Sequence, residues 1–124
     1  MILDTSALFA ILGDEPERRS FNEAIEAAEN RRMSVATFVE TSIVLEARYG
    51  AEGSRELDLF LERAAIELVP VDIEQAKLAR QAWNRFGKGR HPAALNFGEC
   101  FSYALGQCHV DAVDRHERPH TPSL

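Results

Sequence analysis

The sequence predicts one α/β domain of three layers, a central parallel sheet flanked by helices. Three observations lead there. Short apolar runs without helical spacing, at residues 1–3, 33–37 and 66–71, alternate with amphipathic stretches. No Asn-Gly or similar hairpin signal joins successive runs, so the strands pair in parallel through crossovers. The length of 124 residues, 45% of them apolar and 27% charged, suits one core and leaves no room for a second domain. Folding at this size buries about 60–70% of the unfolded surface. Neither a disulfide nor a structural metal is needed to hold such a chain together.

The elements follow in order. Met1-Ile2-Leu3 is a strand, ended by the good capping residues Asp4-Thr5-Ser6 ahead of a helix over residues 7–12. Gly13 and Pro16 punctuate its end, and Pro16 opens an amphipathic helix over 17–29 with Phe21, Ala24, Ile25 and Ala28 on one face. A buried strand is expected at 33–37 and a helix at 38–49, closed by Gly50. Ser54 is expected to cap a helix to about Ala65 with Leu57, Leu61 and Ala64 inward. Residues 66–71 form the third strand, and Asp72 caps a helix carrying Ala76, Ala79, Ala82, Trp83 and Phe86. Residues 87–92 are a loop. Asn96 starts a last helix with Phe97, Cys100, Phe101, Ala104 and Leu105; the pattern stops after Val110.

Several function classes are excluded early. The longest apolar run, residues 7–12, falls far short of the roughly 18 residues of a membrane span. No Lys or Arg precedes the apolar start, so a secretory signal is not expected and a cytoplasmic chain beginning at Met1 is. Cys100 and Cys108 stand about 12 Å apart along a helix, beyond the roughly 7 Å a disulfide spans. Both are expected as reduced thiols. No C-x-x-C pair is present to join His91, His109, His116 or His120 in a zinc site, and there is no G-x-G-x-x-G, Walker loop or G-x-S-x-G. Ser6 has no histidine in a triad relation to it. Trp83 on an amphipathic helix is expected in a core or an interface rather than as a base-stacking platform.

The charge is uneven. A formal net charge of −6 argues against a protein that coats nucleic acid by bulk attraction, yet no acid lies between Glu74 and Glu99. That interval carries Lys77, Arg80, Arg85, Lys88 and Arg90. It is either a solvated basic face or a rim that steers a polyanion to an acidic site.

Three acids are candidates for that site. Ligands of parallel sheets sit outside the carboxyl ends of the strands, where Asp4 stands. Glu40 follows the second strand, with Ile43, Val44 and Ala47 continuing its face; it is either an inward carboxylate that needs a partner or a rim residue reaching water. Glu99 opens the last helix, where an acid also meets the helix dipole favourably. Carboxylates from three such junctions suit a hard divalent cation.

With Asp4-Thr5-Ser6-Ala7-Leu8 at the start, Glu40 after the second strand and Leu95-Asn96-Phe97-Gly98-Glu99-Cys100 late, the sequence resembles the PIN-domain family, most closely its VapC-type toxins. The resemblance covers residues 1–106, taken as the PIN-like domain. It implies an Mg²⁺-dependent endoribonuclease, with Mn²⁺ able to substitute, paired with a VapB-type antitoxin that occupies the acidic cleft, and a homodimer. Asp4 and Glu99 would hold the metal, Glu40 would orient water or bind a second ion, and Thr5, Ser6 and Asn96 would support the site. Lys77, Arg80, Arg85, Lys88 and Arg90 would meet RNA phosphates.

Two departures stand out. Glu99 occupies the family's aspartate position, adding a methylene. Residues 107–124 match neither the family's last strand nor its next aspartate loop, so Asp111 and Asp114 inherit no role and these residues are set apart as an atypical tail, such as a frame change would produce. The departures motivate an alternative reading, a catalytically impaired copy that binds its antitoxin without cutting RNA. A phospho-acceptor receiver domain lacks its acid pair and late lysine here, and a nucleotide-binding Rossmann fragment lacks its glycines.

Overall fold

In a computed structural model, residues 1–13, 16–87 and 96–117 are described, with side chains through residue 108. The elements are α1 (Thr5–Leu12), α2 (Arg18–Ala27), β1 (Arg32–Ser34), α3 (Val35–Tyr49), α4 (Ala51–Arg63), β2 (Glu67–Val69), α5 (Ile73–Phe86) and α6 (Phe97–Glu117). The α/β class is as expected, with a smaller sheet and more helix than the pattern suggested. β1 and β2 pair in parallel with Arg32 opposite Glu67 and Ser34 opposite Val69. On the other side of β1, the Leu3 N–H donates to the Arg32 carbonyl and the Arg32 N–H to the Met1 carbonyl, each at 2.8 Å. The first run is thus extended and parallel but holds a single bridge, Ile2 to Arg32.

Local chemistry sets the helix ends. Asp4 and Asp72 cap α1 and α5 as expected, accepting from the Ala7 and Gln75 N–H groups at 2.9 and 2.8 Å. The strand expected at 33–37 stops at Ser34, and the helix expected from Phe38 begins at Val35. The Ser34 hydroxyl accepts from the Ala36 N–H at 3.3 Å, so the serine ends the strand as a cap despite the β-branched residues after it. α4 likewise begins at Ala51 rather than after Ser54. Gly50, at φ 68° and ψ −157°, turns the chain in one residue between α3 and α4, a backbone region open essentially to glycine alone. At the other end of α4, Ala65 takes φ 52°, and the Ile66 N–H reaches the Leu61 carbonyl at 2.9 Å, a Schellman closure.

Two apolar clusters result. Leu3, Leu8, Ile11, Met33, Leu45, Leu57, Leu61 and Ile66 form the larger one, uniting α1, α3, α4 and the sheet. Ala79, Ala82, Cys100 and Ala104 form the smaller one. Its small side chains let α5 and α6 approach closely. Between the clusters, α3 buries Thr37 and Thr41 rather than large apolar residues. Helix α6 runs to Glu117, past the point where the sequence pattern fades and into the stretch set apart as a tail. Residues 118–124, like most of the expected loop with Lys88, Arg90 and His91, lie outside the described residues. No helix among the described residues is long and apolar enough to cross a membrane.

Candidate active site

The site is built on helix N-termini, which supply unpaired N–H groups and a positive dipole end. Asp4 spends Oδ1 on the cap of α1. At α6, Asn96 and Glu99 cap each other: the Glu99 N–H donates to Asn96 Oδ1 at 2.9 Å, and the Asn96 N–H to Glu99 Oε1 at 3.2 Å. This reciprocal pair is a capping box with asparagine in the serine position. The longer glutamate reaches back to the Asn96 N–H, which gives Glu99 a structural task.

Glu40 joins these two ends. Its Oε2 accepts from the Gly98 N–H at 2.9 Å, and its Oε1 lies 3.3 Å from the Thr5 hydroxyl that donates to it. Thr5 follows Asp4 and Gly98 precedes Glu99, so one half-buried carboxylate ties together the junctions that carry the other two acids. Gly98 makes the approach possible, because a Cβ there would stand 2.5 Å from Glu40 Oε1 and 2.8 Å from its Cδ.

A seam of hydroxyls supports the carboxylate from beneath. Thr41 donates to the Thr37 carbonyl at 2.8 Å and lies 2.9 Å from Thr5 Oγ1, while Thr37 Oγ1 is 3.2 Å from both the Gly98 carbonyl and the Ser102 hydroxyl. With the Thr41 hydrogen given to Thr37, the one Thr5 hydrogen is contested between Thr41 and Glu40. Glu40 Oε1 is therefore the less committed of its two oxygens.

The face of α3 differs from the sequence expectation. Ile43, Val44 and Ala47 are exposed, Ile43 by 63%, and the buried stripe is Thr37, Thr41 and Leu45. Glu40 is held by polar partners at the margin of that stripe, not by an apolar surround. Ser6 lies exposed in the first turn of α1. Sequence reasoning missed Thr37, Thr41 and Ser102, and assigned no role to Gly98. Thr37 and Thr41 are two hydroxyls at helical spacing, which an apolar pattern does not flag, and the available signal was the glycine beside an expected ligand.

The basic residues divide. Arg80 lines a cleft shared with Asn96 and Phe97 at the start of α6, whereas Arg85 faces a different groove with Leu78, Tyr103 and Gln107. Lys77 is exposed on α5. Cys100 is buried, and burial, with the Glu99 charge second, raises its thiol pKa above the usual range. It packs as a protonated thiol, and neither it nor Cys108 is in a disulfide.

Asp4, Glu40 and Glu99 offer carboxylate oxygens alone, the hard donors that Mg²⁺ takes. Among the described residues, no group of three or more His, Cys, Asp or Glu side chains is gathered to enclose an ion. Mg²⁺ does not require one, since it is commonly held by one or two carboxylates with waters and substrate phosphates completing its shell.

A family model for the PIN domain matches residues 1–110. The chain is 54% identical over 107 residues to VapC ribonuclease Mb0640 of Mycobacterium bovis, covering 86% of this chain and 82% of that protein. Ribonuclease VapC of Mycolicibacterium smegmatis is also 54% identical over 107 residues, with 86% and 83% covered. Ribonuclease VapC28 of Mycobacterium tuberculosis is 46% identical over 118 residues, with 94% and 84% covered. The resemblance carried by Asp4-Thr5-Ser6, Glu40 and Asn96-Phe97-Gly98-Glu99 therefore extends through most of the chain.

Proposed function

The chain belongs to the PIN-domain family, and from that membership we propose that it is a toxin ribonuclease that hydrolyses RNA phosphodiester bonds with Mg²⁺, or Mn²⁺ in its place. The observation that carries this reading is the Glu40 carboxylate, which ties the α1 end beside Asp4 to the α6 end beside Glu99. Asp4 and Glu99 each retain one oxygen beyond the one used in capping, and these would hold the metal. Bound there, the ion supplies a water of lowered pKa and offsets charge on the in-line transition state. Glu40 Oε1, with the Thr5 hydroxyl donating to it, would orient the attacking water, Ser6 would donate to a phosphate oxygen, and Asn96 keeps Glu99 in place. Lys77 and Arg80, with Lys88 and Arg90 outside the described residues, meet the RNA backbone, while Arg85 lines a separate groove away from it.

The relatives' VapC names support a VapB-type antitoxin as partner, and a homodimer completes the proposed assembly. Asp4→Asn is the test of choice, because asparagine caps a helix as well as aspartate while lacking its charge. Purified variant and natural chain should melt alike. Mg²⁺-dependent RNA cleavage should fall about 100-fold or more in the variant, at or beyond what loss of an outer-shell group costs a metal site. Cleavage that survives both the substitution and EDTA overturns the proposal. Glu99 Oε1, already committed to the α6 cap, favours a second reading of an impaired copy that only binds antitoxin. Growth arrest on induction without antitoxin, abolished by Asp4→Asn, rejects that reading.

A further inference from the structure

The cleft between α5 and α6 differs in chemistry from the acidic end beside it. It has a volume of about 490 Å³, with Arg80 and Trp83 on the α5 side and Asn96, Phe97, Cys100 and Phe101 on the α6 side. Trp83 is 39% exposed and Phe97 64% exposed, so neither ring belongs to the core. Both are nevertheless fixed. Phe97 meets Phe101 edge-on, with centroids 4.9 Å apart and planes at 62°. The Trp83 indole lies over Gly87, where a Cβ would come within 2.8 Å of ring atoms Cδ2 and Cε3. An aromatic ring seated on one face and open on the other is a preorganised stacking surface.

Charge and position select the occupant. Arg80 stands at the cleft, Lys77 lies one turn before it, and no acid occurs between Glu74 and Glu99. Asn96 belongs both to the cleft wall and to the cap that holds Glu99, so the cleft adjoins the start of α6 where Glu99 stands. An apolar side chain of a protein partner would fill the aromatic walls and leave the basic rim unused. A nucleotide uses both, stacking its base and placing its phosphate on the cation.

Resting on the ribonuclease reading, we infer that this cleft receives one unstacked base of the RNA, laid on the Trp83 indole and bounded by Phe97, with Arg80 on the adjoining phosphate. Trp83 is thereby a substrate-positioning residue that selects single-stranded RNA over duplex, whose bases are not free to enter.

Trp83 is the only tryptophan of the chain, so its emission reports this cleft. The full chain, with Ca²⁺ in place of Mg²⁺ to spare the RNA, is titrated with an end-labelled single-stranded hexaribonucleotide while Trp83 emission and label anisotropy are read together. Both signals should saturate at one concentration. An oligomer abasic at every position should bind about 5- to 100-fold more weakly, the worth of a base stacked on an aromatic ring, and should leave emission unchanged. Trp83→Ala should lose the same factor and Trp83→Phe recover most of it, with melting curves separating binding from misfolding. Anisotropy that rises without quenching overturns the cleft and leaves the ribonuclease reading intact. RNA neither bound here nor cleaved with Mg²⁺ overturns both. Emission that changes with protein concentration alone assigns the cleft to a second copy and overturns the inference.

Discussion

A carboxylate that accepts from a backbone N–H at 2.9 Å and leaves its other oxygen on a long, contested 3.3 Å bond is half anchored and half available. Glu40 owes this state to the missing side chain of Gly98. Gly98→Ala therefore separates two effects that usually travel together. Alanine favours the helix by up to about 1 kcal/mol, but its Cβ would sit 2.5 Å from Glu40 Oε1 and must displace the carboxylate. We expect α6 to stay folded by circular dichroism and RNA cleavage to fall at least tenfold; unchanged cleavage would show that Glu40 need not hold this place. At this scale much was legible, since Asp4, Asp72 and Asn96 announced themselves by cap chemistry. The hydroxyl seam was not, because Thr37 and Thr41 carry no apolar signature and a helix pattern assigns its inner face by hydrophobicity.

Helices α3 and α4 show where element boundaries escape the sequence. Ser54 looks like a cap, yet the turn at Gly50 lets α4 start at once, and Ser54 falls inside the helix. The decisive constraint is backbone proximity. A Cβ on Gly53 would lie 2.5 Å from the Leu45 carbonyl oxygen and 3.2 Å from its Cβ, so α4 crosses α3 through that glycine. Propensity alone predicts that Gly53→Ala stabilises the chain by about 1 kcal/mol. The crossing predicts the opposite, a loss of about 1–3 kcal/mol as the helices are forced apart. Urea denaturation decides between them through the midpoint at constant slope. The same crossing explains the misread face of α3: its partners are set by Gly53, Thr5 and Gly98, while Ile43 and Val44 are left outward. Ile43→Ser should accordingly shift stability by no more than about 0.5 kcal/mol in the same assay.

Over the whole molecule, the α/β class, the parallel pairing and the order of elements followed from the spacing of apolar runs, while the shrinkage of the sheet to short strands depended on helix caps taking over residues such as Val35. Charge poses the remaining question at this scale. A chain of net charge −6 binds a polyanion only where its field is locally reversed. The acid-free interval supplies that reversal, but the structure divides it: Arg80 shares a cleft with the start of α6, and Arg85 lines a separate groove. For single-stranded RNA the slope of log Kobs against log salt changes by about 0.7 for each phosphate contact. Lys77→Ala and Arg80→Ala should each flatten the slope by about that amount and together by about twice it, whereas Arg85→Ala should leave it unchanged. If all three flatten it equally, the RNA path covers both sides of α5 and binding follows the charge of the helix, not the cleft beside the carboxylates. If only the first two do, the acidic protein admits RNA along one face, which leads its backbone to the Glu40 junction.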